Sequence, residues 1–445
     1  MTTPICDFVR RYAQSSSIRL HMPGHKGINL LGMERFDITE IDGADSLYEA
    51  GGIIAQSEAN ASALFGCDTY YSTEGSSQCI RAMLYLACIY ARQNGRRPVI
   101  LAARNAHKTF LSAAALVEFD VEWLYGEKQQ SYLSCSISAE YIENILTELT
   151  EKPVAVYLTS PDYLGNVADI KGIAEICHRH GILLLVDNAH GAYLKFLPQS
   201  RHPADLGADI CCDSAHKTLP VLTGGAYLHI LQTVAEKLSP LAKNALAMFG
   251  STSPSYIIMQ SLDMANKYIT DGYKKELEKL CGKVEDIKNI LIQKGLQLAG
   301  QEPLKITIST KSYGYTGTQL AEMLQQKNIV CEFCDPDFIV FMFTPQITNE
   351  QLDCFADALC SIPQKALIAE KPPQFAKTEK LIPIREAAFS LSEEIPVEKA
   401  FGKVLAAASV GCPPAVPIVV CGEMIDEKAV ECFKYYGIKK CWVVK

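Results

Sequence analysis

Ile182-Leu183-Leu184-Leu185-Val186-Asp187-Asn188-Ala189-His190-Gly191 is the stretch that decides the fold. Five consecutive apolar residues stop abruptly at polar ones, which is how a strand buried on both faces of a parallel sheet reads. The pattern returns in Ala208-Asp209-Ile210-Cys211-Cys212, followed by Ser214-Ala215-His216-Lys217-Thr218. A lysine leaving such a strand is normally solvated. Lys217, however, lies between the hydrogen-bonding side chains of Ser214 and His216 and the apolar run Leu219-Pro220-Val221-Leu222. An amine and an aspartate at neighbouring strand ends are what pyridoxal phosphate (PLP) requires. The lysine holds the cofactor as a Schiff base, and the carboxylate keeps the pyridine nitrogen protonated so that the ring accepts electrons.

Working outward, strand and helix alternate from about Ser72 to Ile230. The spacing of Ile80, Met83, Leu84, Ala87 and Ala91 predicts an amphipathic helix over 76–94, stopped by Gly95. Strands are expected at 99–102, 121–125, 154–158 and 182–186, with helices at 108–117, from Ser138 to about 149, and from Asp169 to Gly181. This is the pattern of a mainly parallel α/β sheet with helices on both faces. Asn105-Ala106-His107, Ser160-Pro161-Asp162, Asp187 and Lys217 all fall just past the carboxyl ends of strands, where open α/β sheets bind ligands.

Composition narrows the function classes. The chain has 445 residues, 48% hydrophobic and 21% charged, with a formal charge of −8. The negative charge argues against nucleic acid as a partner, and no apolar run approaches the ~20 residues of a membrane span. Asp7, Arg10 and Arg11 interrupt any signal-peptide core, so the 17 cysteines read as reduced thiols of a cytoplasmic protein. No metal site is expected. Cys331 and Cys334 lack a second ligand pair, and on a strand their spacing points them to opposite faces. His178 and His180 close a helix and read as dipole partners.

Glu74-Gly75-Ser76-Ser77-Gln78 enters the first long helix. A glycine-containing turn there presents free N–H groups to an anion, with serine hydroxyls as further donors; simple N-capping is the alternative. His107 either stacks on an aromatic cofactor or relays a proton, and His190 has the same choice.

These residues resemble the bacterial ornithine/lysine/arginine decarboxylases, PLP enzymes of the aminotransferase-like fold type I. The resemblance runs through His21-Met22-Pro23-Gly24-His25-Lys26-Gly27, Phe36-Asp37-Ile38-Thr39-Glu40, Phe65-Gly66, Glu74-Gly75-Ser76-Ser77, Asn105-Ala106-His107-Lys108, Asp187 to Gly191 and Ser214 to Lys217. Ser251 to Tyr256 resembles the segment that, in the family, reaches the phosphate of the neighbouring subunit's cofactor. The resemblance implies that Lys217 carries the imine, Asp187 pairs with the pyridinium and His107 stacks on the ring. It places Ser76, Ser77, Ser214 and His216 at the phosphate, with Thr252 and Ser253 from a partner in a homodimer. Gly75, Ala189 and His190 complete the expected cofactor contacts. The implied activity is decarboxylation of arginine, lysine or ornithine. The alternatives are an aminotransferase or other PLP lyase of the same fold, or a non-catalytic PLP-binding paralogue. The chain departs from the family's pattern at Asn188, Tyr193, Cys412, Ala415 and Cys421, which bear on substrate identity and activity.

The expected organisation is an N-terminal segment (1–70), a large PLP-binding α/β domain with a connecting helix (71–295), a small α+β domain (296–362), a linker (363–380) and a C-terminal decarboxylase-type domain (381–445). The charge-laced stretch 256–295 reads as a solvated connecting helix. Glu34, Asp37, Glu40, Asp42, Asp45 and Glu49 against a single Arg35 read either as a solvated face or, through the resemblance, as carboxylates that favour a cationic substrate.

Overall fold

The apolar runs become the strands they predict. A computed structural model describes residues 1–127, 131–374, 377–407 and 414–445. Its first seven strands are β1 (Asp68–Ser72), β2 (Val99–Ala103), β3 (Asp120–Leu124), β4 (Ala155–Thr159), β5 (Leu183–Asp187), β6 (Ile210–Asp213) and β7 (Ala226–Ile230). They form one sheet in the order β1-β7-β6-β5-β4-β2-β3, flanked by helices. β5 runs parallel to β6, with Asp187 opposite Cys212, and β2 parallel to β3. β7 is antiparallel to both its neighbours, β1 and β6. Every residue of β5, β6 and β7 is buried, which is why these segments read as unbroken apolar runs rather than alternating ones.

The helices follow from period and caps. Lys108–Val117 has the expected bounds. Ala139–Glu148 begins where Ser138 accepts the Tyr141 N–H, satisfying a first-turn donor. The chain folds as two units, one of residues 1–98, 153–157 and 170–275, the other of 99–152, 158–169 and 276–445.

Three expectations change. The stretch 256–295 is not a solvated connector throughout. The helix Tyr256–Tyr268 buries Tyr256, Met259, Leu262, Asp263, Ala265 and Asn266. Asp263 accepts from Ser57 Oγ at 2.6 Å and from the Cys6 N–H at 3.0 Å, so its charge serves the packing of the first helix, Pro4–Gln14. The second helix, Lys274–Gln293, starts after a break at Gly272, whose φ is 121°. Second, His178 is not simply a dipole partner, because its Nε2 lies 3.1 Å from the buried Asp209 carboxylate. Third, Cys331 and Cys334 do not face apart. The strand there spans only Phe333–Cys334, so alternation does not reach Cys331. The two thiols are hydrogen-bonded, an interaction that lowers Cys331 to about 7.

Beyond the large sheet, β8 (Gln297–Ala299), β9 (Lys305–Ser309), β10 (Phe333–Cys334) and β11 (Phe338–Met342) make a sheet ordered β10-β11-β9-β8. The three-residue edge strand β8 carries no pattern long enough to read. A last sheet joins β12 (Ser392–Pro396), β13 (Leu405–Ala407) and β14 (Lys440–Val444) in the order β12-β14-β13. Its core includes Leu405, Val419, Ile425, Phe433 and Val443, each contributing roughly 1.5–3 kcal/mol by burial. Of the C-terminal motif, Cys412 and Pro413 lie outside the described residues. Ala415 is buried with φ 57°, a left-handed conformation that glycine adopts without strain, and its carbonyl accepts the Lys108 N–H at 2.8 Å.

Candidate active site

Lys217 lies in the short helix Ala215–Thr218 directly after β6. Its Nζ is 2.8 Å from Nε2 of His190, a buried residue of the loop after β5. Asp187, the last residue of β5, is 2% exposed. Its Oδ2 accepts the Tyr157 hydroxyl at 3.2 Å and its Oδ1 accepts the Ala189 N–H at 3.1 Å. Burial, the strongest influence, pushes this carboxyl above its ordinary range, while the Lys217 charge, the Ala189 N–H and the Tyr157 hydroxyl pull it down. A carboxyl in that position ionises fully only beside a cation. The parallel register of β5 and β6 is what brings Asp187 and the Lys217 loop to one sheet edge.

On the same unit, the helix Gly75–Gln93 begins with no side-chain cap from Glu74. First-turn N–H groups of a 19-residue helix without a side-chain cap suit an anion. Gly75 has φ 69° and donates to the Gly224 carbonyl at 2.7 Å. Ser214 Oγ donates to Ser76 Oγ at 2.8 Å, so the loop carrying Lys217 and the helix start carrying Ser76 and Ser77 are joined. His216 Nδ1 is 3.0 Å from the Gly225 carbonyl. Burial lowers its pKa and the Lys217 charge adds to that, favouring a neutral imidazole. An amine, a buried carboxylate and an uncapped helix start lined with hydroxyls fit the three functional parts of PLP: aldehyde, ring nitrogen and phosphate.

His107 belongs to the other unit, where it caps the helix Lys108–Val117, its Nδ1 accepting the Thr109 N–H at 3.1 Å. That cap commits Nδ1, a role the sequence pattern does not announce. Thr252 and Ser253 are exposed, and the Ser253 N–H donates to Ser251 Oγ at 3.1 Å.

Other residues escape sequence reasoning. Asp213 precedes Ser214 and is fully buried between His202 Nε2 at 3.0 Å and His229 Nε2 at 3.1 Å. Three such side chains have the spacing of metal ligands, but His202 Nδ1 accepts the Ala204 N–H at 3.2 Å. The proton of that ring therefore sits on Nε2 and points at Asp213, which a metal ligand at Nε2 forbids. His229 Nδ1 meets Thr69 Oγ1 at 3.0 Å. Burial, the largest single influence on His229, opposes a charged ring, but the Asp213 carboxylate and its hydrogen bond prevail and raise the imidazole. Asn188, one of the departures from the family's pattern, donates from Nδ2 to Asp213 Oδ1 at 2.6 Å. A Cβ at Gly191 would lie 2.0 Å from Asn188 Oδ1, so glycine leaves room for this inward turn. Tyr193 is fully buried. A second such pair is built on Arg104, which donates to the Pro417 and Ile418 carbonyls at 3.0 and 2.9 Å and to Glu423 Oε2 at 3.3 Å. An arginine ending an apolar strand is the signal that could have found it.

The acidic run resolves into separate roles. Glu34 is buried and accepts N–H bonds from Leu30, Gly32 and Met33 at 2.9–3.1 Å. Asp45 accepts from Gly51, Gly52 and Ile54. Burial is the largest single influence on it and pushes it up, but these bonds together hold it below the usual range. Asp37 lies 3.2 Å from His25. Glu40, Asp42 and Glu49 are exposed.

The geometry agrees with what comparison finds. The family model described as Orn/Lys/Arg decarboxylase, major domain, matches residues 3–294. The arginine decarboxylase of Bacillus subtilis (strain 168) is 30% identical over 96% of this chain and 92% of its own length. That of Bacillus anthracis is 28% identical over 96% and 92%. Among solved structures, the lysine decarboxylase of Francisella novicida aligns with a TM-score of 0.81 at 16% identity, covering 100% of this chain and 81% of that one. The Escherichia coli constitutive lysine decarboxylase aligns with a TM-score of 0.77 at 17% identity over 100% and 82%. The seven-stranded, mostly parallel sheet is thus that of the aminotransferase-like decarboxylases. With a family model spanning the strands that end in Asp187 and Lys217, and a 30%-identical relative matched almost end to end, this chain belongs to the Orn/Lys/Arg decarboxylase family.

Proposed function

We propose that the chain is a PLP-dependent decarboxylase acting on arginine within the family's range of basic amino acids, and that it works as a homodimer in the cytoplasm. The observation that carries this reading is the convergence of Lys217 Nζ, His190 Nε2 and the buried Asp187 carboxylate at adjacent ends of β5 and β6. When bound, PLP would supply an electron-accepting ring conjugated with the α-carbon through the substrate's amino nitrogen, so that the electrons of the bond to the carboxylate have somewhere to go.

The residues then divide the work. Lys217 would hold the cofactor through its amine. Asp187 holds a proton at the pyridine nitrogen, an electrostatic contribution that grows as negative charge develops. His190 Nε2, within hydrogen-bond reach of the lysine amine, orients it. Ser76, Ser77, Ser214 and His216 would hold the phosphate, Gly75 shapes the turn, and Ala189 fixes Asp187 through its N–H. His107, with Nδ1 held by the cap, presents its ring face or Nε2. Thr252 and Ser253, exposed on their own subunit, would reach the partner's phosphate.

The arginine preference draws on relatives named arginine decarboxylase. The acidic run supports it less than its composition suggests, since Glu34 and Asp45 are engaged with backbone N–H groups. We also propose that the domain boundaries follow the sequence pattern, with large domain 71–295, small domain 296–362 and C-terminal domain 381–445. The test is to incubate the PLP-loaded enzyme separately with arginine, lysine and ornithine and to measure agmatine, cadaverine, putrescine and CO2. Agmatine with equimolar CO2 is expected as the main product. Keto acid in place of CO2, or no product from any of the three, contradicts the reading.

A further inference from the structure

A second group of charged and aromatic residues lies in the unit containing the C-terminal sheet and shares no residue with the Lys217 site. A cavity of about 380 Å³ is lined by Tyr132, Phe333, Asp335, Tyr435 and Tyr436, among others. The rings pack closely, with Tyr132 and Tyr436 centroids 4.6 Å apart and Tyr435 and Tyr436 centroids 4.9 Å apart. Two carboxylates come from the turn between β10 and β11. Asp337 is matched: Lys311 Nζ is 3.1 Å from its Oδ1, and the Tyr435 hydroxyl donates to the same oxygen at 2.7 Å.

Asp335 is not matched. Its Oδ1 accepts the N–H groups of Asp337 and Phe338, both at 2.7 Å, which accounts for an aspartate in the turn. Its Oδ2 is buried and has no hydrogen-bond partner among the described residues. The residue is 7% exposed. A wall of aromatic rings and one uncompensated carboxylate are the two elements that recognise an organic cation, through the ring quadrupole and through charge-assisted hydrogen bonds.

We propose that this cavity binds a small organic cation, an alkylguanidinium or alkylammonium, with the Asp335 carboxylate as its counter-charge and the rings of Tyr132 and Tyr436 beside it; the Tyr435 ring already carries Lys311 Nζ, 4.8 Å from its centroid. The site would respond to the class of molecule that the decarboxylation consumes and forms; that choice of ligand rests on the reaction proposed above, while the cavity's preference for a cation does not.

Burial, the largest influence, and the neighbouring Asp337 charge push Asp335 up to about 7, against the pull of Lys311 and the two N–H bonds. A cation therefore competes with a proton for this carboxyl. The other titratable groups nearby are Asp337 with Lys311, the Tyr132, Tyr435 and Tyr436 phenols, all raised by burial, and the Cys331–Cys334 pair. Cys331 is lowered to about 7, so an Asp335 variant is needed to separate the two titrations.

The probe is n-butylguanidinium, which has no primary amine to react with PLP, titrated calorimetrically into the PLP-loaded enzyme. Binding is expected to be about tenfold tighter at pH 8 than at pH 6, as Asp335 ionises. Asp335→Asn keeps the turn, since its amide oxygen accepts the same N–H groups. It should weaken binding at least tenfold and flatten the pH dependence, with kcat and KM for the amino acid unchanged. Tyr436→Leu should weaken binding several-fold without altering its pH dependence. Absence of binding to the wild type, or equal binding by Asp335→Asn, overturns the proposal. A rise in KM parallel to the loss of probe binding also overturns it, by making the cavity part of the substrate site. Failure of the proposed reaction is seen separately, as absence of CO2 from every basic amino acid in an enzyme that still binds the probe.

Discussion

At the scale of the residue, buried carboxyls are met in two ways. Asp187 has Lys217, a tyrosine hydroxyl and a backbone amide; Asp335 has two amides on one oxygen and no hydrogen-bond partner on the other among the described residues. The second arrangement has a consequence for stability. Asp335 is raised in the folded chain to about 7, against about 3.9 when unfolded. Between these values the native state binds more protons than the unfolded one, so stability falls as pH rises through the window. Each tenfold change in proton affinity is worth about 1.4 kcal/mol, which bounds the whole effect at about 4 kcal/mol. Urea unfolding at pH 5 and pH 8 should show a drop in the wild type that is smaller by a few kcal/mol in Asp335→Asn. Parallel behaviour of the two proteins would contradict the burial of an unpaired carboxyl.

At the scale of the element, long buried strands and amphipathic helices are legible because their signal is local. The strand over Ile182–Val186, the helix from Lys108 to Val117 and the Ser138 cap each reside in a few consecutive residues. Asp187 and Lys217 are legible for the same reason, as polar residues at the ends of apolar runs. Pairings across distance are not. Nothing near Asp213 in sequence announces His202 or His229, and Glu34 looks like one acid among six until its loop closes on it. Arg104 and Glu423 show how much rests on such a pair: both side chains are 2% exposed, and Thr378 Oγ1 and the Val420 N–H also bond Glu423. Glu423→Ala leaves Arg104 charged and buried, which should cost about 3–5 kcal/mol. Lys440→Ala, breaking an exposed 3.0 Å pair with Glu394, should stay within about 1 kcal/mol. Equal losses in thermal unfolding of the two variants would contradict the buried clasp.

At the scale of the whole molecule, the N-terminal segment exposes Ile18, Leu20, Met22, Ile28, Leu30 and Leu31, with Leu20 89% and Leu31 86% accessible. Apolar side chains gathered in one segment are what a contact with a second protein surface would cover. This supports the proposed homodimer, in which Thr252 and Ser253 serve the neighbouring cofactor. Leu20→Asp combined with Leu31→Asp should convert the dimer to monomer in sedimentation velocity and weaken PLP retention. A monomeric wild type, or an unaltered dimer in the variant, would contradict a dimer built on this segment.

The central claim is that Lys217 is the amine that holds the cofactor. Purified in the presence of PLP, the wild type should show a visible absorbance that survives dialysis and should release CO2 from arginine. Lys217→Ala, folded to the same thermal midpoint within a few degrees, should lose both the absorbance and the CO2. A Lys217→Ala protein that keeps the wild-type visible spectrum would contradict the account.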